Sequence, residues 1–279
     1  MRPKENVGKG IKKTGERIIP ENIETCVDYL LYLRHLFAYE FAKSMVPKDS
    51  LVLEVGCGEG YGSHLLSQHV KKIIGLDIDI KTINHALSKY ASENCIFRTY
   101  NGINIPYDTN TFDAVISFQV IEHIQNDKKY ISEIHRVLKQ SSLFILTTPN
   151  REYRLKRGQR PWNRFHVREY SASLLKDILI GTFPDVTIWG IRGNDEIQKI
   201  ERERVEQIKR INSLDPLYVR NLIPEQFKPQ VIDFLKKIVA RNRNNENKNN
   251  FLQQYTLKDF HITQNDVEDN IDLLGVCTK

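Results

Sequence analysis

The stretch LVLEVGCGEG (51–60) limits the possible folds more than any other part of the chain. A short, almost continuously apolar run reads as a strand buried on both faces. It breaks directly into glycines at 56, 58 and 60, where side chains are barred because the chain must turn or a ligand must approach. A strand that feeds such a turn into a helix is a nucleotide-binding device, since the helix N-terminus offers unpaired N–H groups. The spacing excludes two common versions. A dinucleotide fingerprint wants glycine at the sixth position from Gly56, where Tyr61 stands, and a Walker loop wants Gly-Lys-Ser/Thr, which is absent. What remains is Glu54-x-Gly56-x-Gly58-x-Gly60. Asp77 closes KIIGLD, 21 residues after Gly56, near the distance at which an acid meets a ribose in such folds. The expected ligand is a nucleoside with no essential pyrophosphate.

The rest of the chain alternates in the same manner. Strands are expected at 51–55, 72–76, 95–99, 113–117 and 143–148, with helices near 61–69, 80–92 and 127–139 between them. Before them, residues 24–45 form a long amphipathic helix pattern closed by Pro47. After them come a basic loop, a helix over 171–181 capped by Ser171, and a strand at 185–191. Charged helical patterns then fill 195–241, the tract RNRNNENKNN (241–250) reads as a mobile linker, and IDLLGVC (271–277) reads as a late strand. Parallel strands with crossover helices make this a doubly wound α/β domain.

Charge narrows the partners. Residues 46–150 carry ten Lys/Arg against eleven Asp/Glu, whereas 151–169 hold seven arginines and lysines against two glutamates. That basic loop suits an anionic acceptor, with Arg157 and Arg160 as candidate contacts. Nucleic acid is not expected, because the loop interleaves only Trp162 and Phe165 as stacking aromatics. The four cysteines are far apart with no metal-ligand spacing, and no carboxylate cluster is visible beyond Asp77 and Asp79, so neither a disulfide nor a metal is expected. No apolar run reaches the ~18–20 residues of a membrane span, and a cytoplasmic protein is expected.

Taken together, EVGCGEG, GLDID, NGINIPYDTNTFDAVISFQVIEHI and RVLKQSSLFILTTPN resemble the class I S-adenosylmethionine-dependent methyltransferases, of the type 11-like kind. More narrowly, TGERIIP, HLFAYEFA, GYGS, FHVREYS and IDLLGVCTK are similar to a bacterial and archaeal subgroup associated with glycan and surface-polysaccharide biosynthesis. The resemblance implies a Rossmann-like seven-stranded sheet with an N-terminal helix and a helical insertion before the last strand. It divides the chain into a basic segment and capping helix (1–45), a methyltransferase domain (46–194 and 251–279) and an inserted substrate cap with linker (195–250). The implied cofactor is S-adenosylmethionine, with S-adenosylhomocysteine as product. Its methionine part would lie against Gly56, Gly58 and Gly60, with Glu54 orienting the loop and meeting the amino group through water. Asp77 would hold the ribose, Ile78 would pack on adenine, and Gln119 would line the methyl end. Asn101-Gly102 stands where the family often has Asp before a small residue, and the Asn101 amide oxygen would accept from the adenine amino group.

A sulfonium methyl is already activated, so the chain's task is to align an acceptor and exclude water. A sugar hydroxyl would gain from a general base, for which His123 and His166 are the candidates, while His35 is expected to pack or lid the cofactor. The leading expectation is O-methylation of a glycan or other small acceptor. Alternatives are a quinone-type, RNA or protein acceptor, or a noncatalytic cofactor-binding subunit. A nicotinamide-dependent oxidoreductase is disfavoured by the glycine spacing.

Overall fold

The computed structural model describes residues 18–213 and 251–279. Eight strands form one sheet: β1 (Leu51–Val55), β2 (Lys72–Asp77), β3 (Cys95–Thr99), β4 (Phe112–Phe118), β5 (Leu138–Pro149), β6 (Asp185–Gly193), β7 (Phe260–Thr263) and β8 (Asp272–Thr278). Their order across the sheet is β3-β2-β1-β4-β5-β8-β6-β7. The first five strands pair in parallel, and β8 runs antiparallel to both β5 and β6. This is a Rossmann-like, doubly wound α/β fold. One strand was not expected: β7, four residues long, adds antiparallel to β6 at the sheet edge.

The helices are α1 (Cys26–Met45), α2 (Tyr61–Ser67), α3 (Ile80–Tyr90), α4 (Asp127–Val137), α5 (Arg151–Arg154), α6 (Ala172–Ile180), α7 (Asp195–Ser213) and α8 (Phe251–Gln254). Their starts are written locally. Thr25, Asp79, Asn126 and Ser171 each accept a backbone N–H of the first turn they cap. Such a cap is worth ~1 kcal/mol. Apolar side chains then divide between the two faces of the sheet. Leu30, Tyr39, Leu66 and Ile83 from α1, α2 and α3 bury against one face, and Ile131, Ile134, Leu175 and Leu179 from α4 and α6 against the other.

The strand order reverses between β1 and β4, so the connections leave their carboxyl ends in opposite directions and open a crevice there, the usual ligand position in such sheets. Of the expected insertion, α7 is seen packed on the α1 face through buried Ile197. Arg34 of α1 reaches Glu201 of α7 at 3.4 Å and Asp272 of β8 at 2.6 Å. The basic N-terminal segment, the helices expected after 213 and the linker 241–250 lie outside the described residues. Among the described residues, no helix is long and apolar enough to cross a membrane.

Candidate active site

The crevice holds a cavity of about 810 Å³ walled by the loops after β1, β2, β3 and β4, by α1 and by Phe165. The three glycines have different reasons for being there. A Cβ on Gly56 would lie 2.3 Å from Val120 Cγ2, and one on Gly60 would lie 2.7 Å from Ala86 Cβ, so those two are fixed by packing. Gly58 has a φ of +52° and nothing within 4 Å of where its Cβ would be, so its missing side chain leaves cavity space. Gly56 and Gly58 line the cavity; Gly60, the residue before α2, does not.

Asp77 ties the loop to β2. Its Oδ2 accepts from Gly58 N at 3.0 Å and its Oδ1 from Asp79 N at 2.9 Å, which fixes the carboxylate at the cavity wall with lone pairs left for two hydroxyls. Next to it, Ile78 and Ile103 also line the cavity and are 68% and 60% exposed, an apolar pair that a planar base would cover. Aspartate for a ribose diol, isoleucines for a base and the open space at Gly58 fit the adenosine and amino-acid parts of S-adenosylmethionine.

Two expected roles change. Glu54 does not wall the cavity. It is fully buried, with Oε1 accepting from Tyr39 Oη at 2.5 Å and Oε2 from Ser63 Oγ. Burial pushes its pKa up to about 7, against the lowering effect of those two hydroxyls. It therefore braces Tyr39, which does line the cavity, and is too deep to meet a cofactor amino group. At Asn101 the amide oxygen is committed, accepting from Ile103 N and Asn104 N, both at 2.9 Å. The Nδ2 donor is what this side chain can offer a base, and Gly102 beside it has a φ of +74°. Gln119 lines the cavity with a φ of +57°, held by Gln119 N to Thr147 O at 2.9 Å. A bulky residue in that conformation is strained, a cost typical of functional loops.

The histidines separate. His123, in the 3₁₀ turn Ile121–His123, lines the cavity, and its Nδ1 donates to Phe165 O at 2.9 Å. His166 is buried behind it, bonded to Glu169 Oε1 at 2.8 Å and to Asn163 Nδ2 at 2.9 Å, and does not reach the cavity. That placement denies His166 the expected role of base. His35 lines the cavity, its Nδ1 3.0 Å from Tyr61 Oη. The basic loop is partly spent on structure: Arg154 is buried near Glu169, and Arg168 pairs with Asp127. Arg157 and Arg160 are exposed and line no part of the cavity. The lysine or arginine that does so among the described residues is Lys129. One group of side chains escaped the sequence reading because His166 lies 43 residues beyond His123: Glu122, His123 and His166 bring metal-ligating atoms within 4.8 Å of one another.

Residues 53–146 match the family model described as a methyltransferase domain. The chain is 36% identical over 60% of its length to a probable S-adenosylmethionine-dependent methyltransferase of Mycolicibacterium smegmatis, covering 62% of that protein. It is 34% identical over 64% of its length to the probable S-adenosylmethionine-dependent methyltransferase Rv3030 of Mycobacterium tuberculosis, covering 63% of it. The chain thus spans somewhat under two thirds of the length of these two relatives. Among solved structures, an S-adenosylmethionine-dependent methyltransferase of Thermotoga maritima superposes with a TM-score of 0.56 at 13% identity, covering 95% of this chain and 98% of that one. The cyclase SpnF superposes at 0.53 with 17% identity, covering 88% and 81%. These structures share the fold, which by itself leaves the chemistry open.

Proposed function

We propose that this chain, with a methyltransferase domain at residues 53–146, is an S-adenosylmethionine-dependent methyltransferase. The observation that carries the reading is the Gly58–Asp77 cradle at the strand-order reversal, beside the exposed Ile78 and Ile103 pair. Bound there, the cofactor supplies a methyl group already activated by its sulfonium. Asp77 holds the ribose diol, the two isoleucines cover the base, and Asn101 Nδ2 donates to it. Tyr39, locked by Glu54, and Gln119 confine the far end and exclude water, while His123 hydrogen-bonds the acceptor hydroxyl from the cavity wall.

The acceptor is a hydroxyl of a glycan or another small molecule. Gln125, Asn126 and Lys129 on the cavity rim supply the amides and the cation that sugar hydroxyls or a linked phosphate would use. Arg157 and Arg160 serve only an acceptor long enough to pass Phe165. Equal affinity of the wild type and the R157A/R160A double variant for a phosphorylated glycan removes them from the site. A second reading has its own support: Tyr39, Tyr61, Tyr100, Tyr130, Phe118 and Phe165 give the cavity an aromatic wall that suits a quinone-type acceptor. The free cysteines suit a reducing, cytoplasmic setting.

Calorimetric titration with S-adenosylhomocysteine and with NAD tests the cofactor. Binding of the first and not the second is expected; the reverse overturns the reading. Incubation with labelled S-adenosylmethionine and separate sugar-nucleotide and quinol pools then chooses the acceptor. Cofactor binding with no transfer to any pool favours a noncatalytic subunit.

A further inference from the structure

Glu122, His123 and His166 bring one potential ligand atom each to within 4.8 Å of one another. Their elements are clamped together, with Glu122 O accepting from Val167 N at 2.8 Å, so the 3₁₀ turn after β4 and the loop after α5 move as one. Hydrogen bonds fix both tautomers. Phe165 O can only accept, so His123 Nδ1 carries the proton. At His166, Nδ1 faces the Glu169 carboxylate and donates to it. Asn163 is oriented by Phe165 N, which donates to its Oδ1 at 3.1 Å; its Nδ2 therefore faces His166 Nε2, which must be the acceptor. Each ring thus has Nδ1–H backed by a carbonyl or a carboxylate, the outer support typical of metal-binding histidines. Glu122 adds a buried carboxylate, whose Oε2 is oriented by Thr148 Oγ1 at 2.8 Å.

We infer that these three side chains bind one divalent transition-metal ion of the zinc class. Two imidazoles and a carboxylate are the donors such ions select, whereas magnesium and calcium prefer all-oxygen sets. Bonds of ~2.0–2.1 Å in a four-coordinate site place ligand atoms about 3.3 Å apart. The present spread of up to 4.8 Å therefore closes by roughly 1.5 Å, with Asn163 leaving His166 Nε2. Three protein ligands keep a fourth position open, and His123 puts the ion at the cavity wall. This deepens the methyl-transfer reading: an acceptor hydroxyl on that position would lose its proton to solvent more readily, and His123 would then act through the ion.

The test uses the whole chain, stripped of metal by a chelator and titrated with Co²⁺ as an optical probe, then with Zn²⁺ in competition. One equivalent of Co²⁺ giving the visible absorption of a four-coordinate site is expected, displaced by Zn²⁺. Binding should weaken at least tenfold in His123→Ala and Glu122→Gln. His123 is only half-buried, so its variant should fold; thermal unfolding without metal checks this, and His69→Ala serves as the unaffected control. Absence of a Co²⁺ spectrum, or equal affinity in the folded His123→Ala variant, overturns the proposal. The cofactor takes no part in this measurement, so failure here leaves the methyl-transfer reading intact, and failure to bind S-adenosylhomocysteine leaves the metal result standing.

Discussion

At Gly58, alanine incurs two costs. A positive φ costs an L-residue about 1–2 kcal/mol, and the new methyl would enter space that the cofactor is proposed to use. Gly58→Ala should therefore bind S-adenosylhomocysteine at least tenfold more weakly by calorimetry, with only a few degrees lost from Tm. Glu54 offers a different test, through pH. Its folded pKa of about 7 lies above its ordinary 4.5, so between those values the folded state holds a proton that the unfolded state has released. Stability from this group is full below about pH 4.5 and falls as pH rises through about 7, by up to about 3 kcal/mol. Urea unfolding from about pH 5 to about pH 8 should show that decline, and Glu54→Gln should flatten it.

Helix α4 governs the Asn101–Ile103 side of the cavity from a distance. Glu133 Oε2 accepts from Ile105 N at 3.0 Å, and Arg136 donates to Ile105 O and Tyr107 O at 2.9 and 2.8 Å. The loop carrying Asn101, Gly102 and Ile103 is thus pinned to a helix. Hydrogen bonds from Arg136, outweighing burial, hold the Glu133 pKa down at about 2. Arg136→Ala should speed amide exchange across 101–107 and weaken S-adenosylhomocysteine binding several-fold, with Gly58 and its neighbours exchanging as before. Much of this element-scale architecture was legible beforehand. Every expected strand from β1 to β6, and β8, lies within a few residues of its predicted place, because continuous apolar runs leave a buried strand few alternatives. FHIT (260–263) escaped notice: an edge strand of four residues with His261 on its solvent side carries too little apolar signal. The site was half legible. Gly58 and Asp77 advertise themselves through spacing, whereas the Glu122, His123 and His166 group and the Tyr39–Glu54 brace arise only when distant segments fold together.

Across the whole molecule, Arg34 is the fastening between α1, α7 and β8. It is 3% exposed, between Glu201 and Asp272. Burial pushes the Glu201 carboxyl up, but Arg204 and Arg34 outweigh that and leave it below its ordinary range. Arg34→Met takes the cation from between two buried carboxylates, which typically costs about 3–5 kcal/mol. A drop in Tm of at least several degrees should follow, larger at neutral than at acid pH, since protonated carboxyls no longer need the cation; differential scanning calorimetry at both pH values checks it.

The placement of β8 also bears on how the chain is made. It sits between β5 and β6, yet its residues leave the ribosome after those of the other strands described in the sheet. During synthesis β1 to β5 can assemble as they emerge, but β6 and β7 have no seam to join until β8 slots in, and β5 meanwhile shows an open edge. Nascent chains stalled before residue 272 should therefore protect the first half from protease, leave β6 and β7 cleavable, and be prone to clump through that exposed edge.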